Sequence, residues 1–264
     1  MKFCMCASVF GDLNYFLRKG GVYYNPKMAK PHETLKMDYY LFTNIPKEEL
    51  KPYIEDHWQV ININVVPNNN IKNNTQLSRY YKFQLHHYFA QQNKTDYDWI
   101  IYIDHYLLIA PNVDWCSIVE PVIQKASDTN LALIQTFHKD GYNNIKLEAQ
   151  MIIRGNADTK QNVENGLNYL QSLDPSVNLN KDITFSENWF FLYSPKHKPT
   201  VDHFDLFWGH YLNPKYSTKR DQPLWNYLLH YRKPRIHNTI INLIKYICNI
   251  NLAKCYHSKF AHIP

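Results

Sequence analysis

No stretch of the 264-residue chain approaches the roughly 20 consecutive apolar residues that a bilayer span requires, so no transmembrane helix is expected. Its opening, MKFCMCASVFGD, carries one Lys and an apolar run too short for a secretory signal, which predicts a cytoplasmic protein. Disulfide scaffolding is equally absent. The five cysteines (Cys4, Cys6, Cys116, Cys248, Cys255) are odd in number and share no metal-ligand spacing, so they read as reduced thiols. No block of like charges occurs, and the net charge of +6 is scattered along the chain. That spread suits phosphorylated ligands but leaves no nucleic-acid footprint, so no nucleic-acid partner is expected. With neither an internal repeat nor a flexible linker, one domain is expected.

What is plentiful is aromatic: 15% of residues, 21 of them Tyr. Stacking on sugar rings or bases is one use of such a content. A codon bias that enriches Tyr, Asn, Ile and Lys together is the other explanation. Strand-like and helix-like segments alternate from the start. KFCMCASVFG reads as a buried strand ending at Gly11. Asp38 to Asn44 and Trp58 to Val66 read as further strands, with a short helix from Pro46 to Ile54 between them. Ser78 is read as the N-cap of a helix reaching Gln92, with Arg79, Lys82 and His86 on one face. WIIYIDHYLLIA then forms an almost continuously apolar strand, the signature of a strand covered on both sides. Helix is expected over Asp114 to Ala126, strand over Leu131 to Phe137, and helices between Leu147 and Leu173. Ile183 to Tyr193 reads as strand, Thr200 to Tyr211 as helix, and another short helix opens near Asp221. This alternation predicts an α/β fold with a mixed, mostly parallel sheet.

Asp104 interrupts the apolar strand, and a carboxylate there must be paired, metal-bound or functional, because burying it bare is costly. Ligands of open α/β sheets sit at the carboxyl ends of strands, where this residue would emerge. Arg79 and Lys82, one helical turn apart, suit a diphosphate; a merely solvated basic face is the alternative. Arg220-Asp221-Gln222 opens a helix, so Asp221 is either a cap or a carboxylate offered to a cleft as general base. His138 follows the LALIQTF strand, Glu148 comes ten residues later, and Glu187 precedes NWFFLY. Trp189, Trp208 and Trp225 are candidates for sugar stacking, with core packing expected for at least two of them.

The order of these motifs resembles a glycosyltransferase-like family first described from plant mucilage and turgor mutants. The shared pattern is Arg-x-x-Lys with a nearby His (Arg79, Lys82, His86), then a strand ending Ile103-Asp104. A strand-end His (His138) and Glu148-Ala149 follow, then an acid before a strand (Glu187), then Arg220-Asp221-Gln222. It covers roughly residues 75 to 230. The resemblance implies a single glycosyltransferase A-like domain that takes a nucleotide-sugar donor, with Mn²⁺ or Mg²⁺ as cofactor. The chain departs from that fold's habit, since Asp104-His105-Tyr106 offers one carboxylate where Asp-x-Asp offers two. Either His105 supplies a second ligand, or Arg79 and Lys82 neutralise the phosphates without a metal.

The resulting expectation is a glycosyltransferase domain over 1–237, with a donor half over about 1–110, an acceptor half over about 111–237 and a helical tail over 238–264. Asp221 is the first choice of catalytic carboxylate and Glu187 the second. Arg79, Lys82, His86 and Asp104 would bind donor, with Asp104 as the metal ligand. His138, Glu148, Arg220 and Gln222 would support acceptor or catalysis. The acceptor would be a glycan or lipid-linked hydroxyl. Ile240, Ile241, Ile244, Ile247 and Leu252 fall near one side of a helix, suggesting peripheral membrane contact through 238–255 or packing back on the domain. The rival readings are a non-catalytic sugar- or nucleotide-binding module, a hydrolase using the same carboxylates and, from the charge and aromatics, a nucleic-acid-binding protein. If Asp221 is the base, Asp221→Asn should keep the fold and lose turnover.

Overall fold

The computed structural model describes residues 1–19, 22–23, 37–67, 69–105, 107–109, 113–125, 133–137, 143–232, 238–240 and 247–249. The first half forms β1 (Phe3–Val9), α1 (Leu13–Leu17), β2 (Arg18–Lys19), β3 (Val22–Tyr23), β4 (Met37–Thr43), α2 (Lys47–Leu50), β5 (Trp58–Asn62), α3 (Asn74–Phe83) and α4 (Leu85–Gln91). Next come β6 (Trp99–Ile103), β7 (Leu107–Ile109), α5 (Trp115–Lys125), β8 (Leu133–Phe137), α6 (Ile145–Arg154) and α7 (Lys160–Leu173). The chain continues through β9 (Ser186–Tyr193), α8 (Lys198–Tyr211), α9 (Gln222–Tyr231), β10 (Asn238–Ile240) and β11 (Ile247–Asn249).

Among the described residues seven strands make the main sheet, in the order β10-β8-β9-β6-β1-β4-β5. Every pairing is parallel except those of β9, which runs against both β6 and β8. The fold is therefore α/β with a mostly parallel sheet flanked by helices, as the sequence predicts. Strand order places the site. From β1 the chain moves outward to β4 and β5, then crosses back to lay β6 on the other side of β1. The sheet reverses its winding between β1 and β6, and the loops leaving those two strands part there to leave a crevice.

Alternation along the strands divides the core. Cys4 and Cys6 of β1 join Tyr40, Phe42, Tyr102 and Phe191 under α3, α4, α8 and α9. Phe3, Met5, Ala7 and Val9 join Leu41, Ile101 and Phe190 under α1, α2 and α5. Covered on both faces, the strands gain nothing from polar positions, which is why they read as apolar runs. The first face absorbs much of the aromatic content: Phe83 lies 4.3 Å from Phe207 and 5.2 Å from Trp225, ring centre to ring centre. Trp208 and Trp225 are core residues, as expected of two of the three tryptophans.

Three local expectations fail for identifiable reasons. The helix predicted from Ser78 to Gln92 begins earlier and is broken. Asn73 is its cap, accepting from the Gln76 N–H at 2.9 Å while the Gln76 side chain accepts from the Lys72 N–H at 2.7 Å. It breaks at Gln84 (φ −122°, ψ 25°), whose buried amide donates to the carbonyls of Phe83 and, at 3.0 Å, Phe204. The long strand through Asp104 stops at Ile103, and β7 beyond it pairs with β11 outside the main sheet. The helical tail is also overturned where it is described. Residues 238–240 extend the main sheet parallel to β8, and 247–249 pair antiparallel with β7. β-branched Thr239, Ile240 and Ile247 suit sheet edges, and the argument for a membrane-facing helix through 238–255 loses its basis at these six residues. No helix among the described residues is long and apolar enough to cross a membrane.

Candidate active-site cleft

A cleft of about 700 Å³ opens at the carboxyl ends of β1 and β6, at the reversal point. Its wall from β1 is Ser8 to Gly11, and Gly11 is needed there: it turns the chain toward α1 at φ 149°, a conformation L side chains rarely adopt. Arg79 and Lys82 reach in from α3, Asp104 and His105 follow β6, and Glu187, Asn188 and Trp189 begin the antiparallel β9. Lys219, Arg220, Asp221 and Gln222 close it from the start of α9. Nine residues singled out in the sequence thus line one cavity: Arg79, Lys82, Asp104, Glu187, Arg220, Asp221 and Gln222 from the motifs, with His105 and Trp189 beside them.

An ion network forms its floor. Arg79 Nε donates to Asp221 Oδ1 at 2.9 Å, and Lys82 Nζ donates to Asp104 Oδ1 at 3.2 Å while lying 3.8 Å from Asp221 Oδ2. The Lys82 side chain is only 2% exposed, which overturns the solvated basic face as an alternative. Asn188 Nδ2 donates to Asp221 Oδ2 at 3.1 Å, and Tyr102 OH to Asp104 Oδ1 at 3.1 Å. Ser8 Oγ stands 3.0 Å from the Tyr102 hydroxyl and donates to the Ser78 carbonyl, so strand and helix share this network. Burial alone would raise the Asp221 pKa, but Arg79, Lys82 and Arg220 outweigh it and hold the carboxylate well below the usual range. Burial pushes Lys82 down, opposed by Asp104 and Asp221.

Asp221 does not cap α9. Its side chain makes no cap bond, and its backbone is already helical (φ −81°, ψ −30°). Glu187 differs from it electrostatically. Burial and then the neighbouring Glu148 push it up to about 7, against the pull of hydrogen bonds from Trp189 and Gln222 and of Lys82. Gln222 Nε2 donates to Glu187 Oε2 at 3.1 Å. Asn226 fixes the adjoining backbone by accepting from the Ser186 N–H at 2.8 Å and donating to the Ser186 carbonyl at 3.0 Å. Arg220 Nε is buried and meets no acceptor among the described residues, a donor held ready for an anion.

Other expected members lie elsewhere. Glu148, buried on α6, sits behind the cleft; burial raises its pKa and Arg220 opposes the rise. His86 follows the break at Gln84 and turns away, its Nε2 lying 3.0 Å from Asp205 on α8 instead of sharing a face with Lys82. His138 lies outside the described residues. Sequence reading passed over Asn188, Tyr102 and Ser8, because nothing local distinguishes a polar residue that points into a cleft from one that does not. It also missed Asp158, which anchors the loop before Asp221 by accepting from Thr218 Oγ1 and the Lys219 N–H, both at 2.8 Å.

Gly166 of α7 packs under that loop: a Cβ there would stand 2.8 Å from Thr218 Cγ2. Gly166→Ala gains up to ~1 kcal/mol of helix propensity. It must also displace Thr218 from Asp158, an overpacking that costs about 1–3 kcal/mol. Net destabilisation in urea unfolding is the expected result, and an unchanged or raised midpoint would show the loop to be soft.

Fold and cleft together define an α/β protein with a densely charged crevice at the reversal point of its sheet. No protein-family model and no curated protein matches the chain.

Proposed function

We propose that the chain is a glycosyltransferase that moves a sugar from a nucleotide-sugar donor to a hydroxyl acceptor, in a glycosyltransferase A-like domain. The observation that carries this reading is the coexistence in one cleft of the buried Lys82 and the partly buried Arg79 on α3, the unsatisfied Arg220 donor, and a carboxyl poised near neutrality. The first two suit a diphosphate, and the third suits proton transfer. The motif order shared with the mucilage and turgor family supports the same reading.

In this mechanism the acceptor oxygen bonds to the anomeric carbon as the bond from that carbon to the phosphate oxygen breaks. The hydroxyl proton passes to Glu187, and the bonding electrons leave with the nucleoside diphosphate. Arg79, Lys82 and Arg220 offset its charge. Glu187 replaces Asp221 as first choice of base, because a carboxylate gripped by Arg79, Lys82 and Asn188 is too weakly basic to take a proton. Asp221 instead orients the cations. Tyr15, exposed beside His105 at the cleft rim, and Trp189 offer flat surfaces to a base or sugar.

Mn²⁺ or Mg²⁺ would be expected to bridge carboxylates and phosphates here. The donor set does not fit such an ion. The position between Asp104 and Asp221 is taken by the Lys82 ammonium, and Asp104 Oδ1 already accepts from Lys82 and Tyr102. Lys82 therefore stands where the cation would, and donor binding should not require one. The expected result is that a nucleoside diphosphate raises the melting temperature by the same amount with and without chelator, each against its own baseline. At about 100 times the dissociation constant the gain is roughly 2.7 kcal/mol. Stabilisation only with Mn²⁺ or Mg²⁺ would return the metal to Asp104, and none with any nucleoside diphosphate or nucleotide sugar would remove the donor site. Release of sugar to water without an acceptor would favour a hydrolase.

A further inference from the structure

On the far side of the break at Gln84, a second cluster has no part in the cleft. His86 and His87 open α4, and both rings turn toward Asp205 on α8. His86 Nε2 lies 3.0 Å and His87 Nε2 2.8 Å from the same oxygen, Asp205 Oδ1. The two ring centres are 4.3 Å apart, and one ligand atom from each residue falls within 4.8 Å of the others. Adjacent helical residues ordinarily diverge by about a hundred degrees around the axis. Here both side chains nonetheless reach one oxygen on α8, which the Gln84 amide holds beside α4 by its bond to Phe204, the neighbour of Asp205.

We infer that His86, His87 and Asp205 form a zinc-binding site that clasps α4 to α8. Imidazole nitrogens and one carboxylate oxygen are the donors Zn²⁺ prefers, at about 2.0–2.2 Å each. In a tetrahedral complex such bonds set the donor atoms roughly 3.3 Å apart. The two separations from Asp205, 3.0 and 2.8 Å, lie within a few tenths of an ångström of this, and the third, between the two rings, is at most 4.8 Å, so the imidazoles adjust around the ion by side-chain rotation. The His86 side chain is 5% exposed, whereas His87 and Asp205 are 48% and 40% exposed. One ligand is thus held by the core, while the other two leave an approach from solvent and room for water as a fourth ligand. Asp205, the shared hydrogen-bond partner of both rings, is the natural bridge to the ion. Magnesium and calcium prefer all-oxygen shells and fit this set poorly.

The test uses the full chain stripped with chelator and then titrated with Zn²⁺ alone, and in parallel with Co²⁺ as a spectroscopic substitute. Zinc at about 100 times its dissociation constant should raise the melting temperature by roughly 5–10 °C. Cobalt should give the visible absorption of a four-coordinate nitrogen–oxygen site without thiolate charge-transfer bands, which separates this cluster from the cysteines. His87→Ala and Asp205→Asn alter partly exposed side chains, so both should fold, and each should lose at least tenfold in zinc affinity. No stabilisation by zinc, thiolate bands with cobalt, or wild-type affinity in both variants would overturn the site. The outcome is independent of the cleft, since neither variant touches a residue lining it.

Discussion

Replacing Glu187 with Gln should lower transfer by about 10²–10⁴-fold, the usual cost of a lost general base. Donor-induced stabilisation should remain, because Arg79, Lys82 and Arg220 are untouched. The substitution is close to isosteric, and Gln222 retains an oxygen to which it can donate. The pH dependence supplies the sharper test. A base must be deprotonated, so kcat/KM for the wild-type protein should rise with pH and level off above about 7, where burial and Glu148 have pushed Glu187. Glu148→Gln removes the second of those causes, so the acidic limb should move to lower pH while the plateau rate changes little. A Glu148 that merely fills space would not move the profile. Stability gives an independent check of sign. A carboxyl raised in the folded state costs stability as pH climbs from its unfolded value, near 4.3, through about 7. Glu187→Gln should therefore melt at or slightly above the wild-type temperature at pH 8. A variant with wild-type turnover would sink the assignment, and one with a lower melting temperature at pH 8 would make Glu187 structural.

The sheet was legible because its strands are covered on both faces: β1, β4 and β6 each show as an apolar run, and the parallel order followed from strand–helix alternation. Asp104 was legible for the same reason, as an acid interrupting such a run, although that the strand ends just before it was not. Other features were hidden by distance. Asp221 reads as a helix cap because caps are local, yet its partner Arg79 lies 142 positions away. The broken helix was hidden by chemistry. Gln84 fits a helical pattern as well as any polar residue, and only its bond to the Phe204 carbonyl, 120 positions on, stops the helix and sends His86 away from Lys82. Motif order brought seven residues to the right cavity, but roles within it depend on partners no spacing reveals. Glu187 and Asp221 look alike in sequence. The cations around one and the carboxylate beside the other make them a weak base and a base near neutrality.

Removing the charge of Asp221 or Lys82 should unfold the protein more readily than any other change at the cleft. Asp221→Asn leaves Arg79 facing an amide and Lys82 with only Asp104. Lys82→Met leaves the carboxylates of Asp104 and Asp221 without the ammonium between them. Breaking a buried ion pair on one side costs about 3–5 kcal/mol, since the remaining charge stays desolvated. For a chain of this length each variant should melt on the order of 10 °C lower at pH 7. This reverses the expectation, drawn from sequence, that Asp221→Asn keeps the fold. The sign with pH follows from the depressed carboxylate. Its contribution is complete above the unfolded value near 3.9 and is lost as pH falls toward the lower folded value. The gap between wild type and Asp221→Asn should therefore be full at neutral pH and narrow below about pH 4. Because Lys82 and Asp221 share one network, Lys82→Met/Asp221→Asn should cost less than the sum of the single changes, as coupled neighbours do. Thermal unfolding of the three variants from pH 3 to 8 decides the matter. If Asp221→Asn melts with the wild type throughout, the carboxylate is not the centre of the network. Its charge would then add nothing to the fold, and the near-isosteric Asn would replace it without loss.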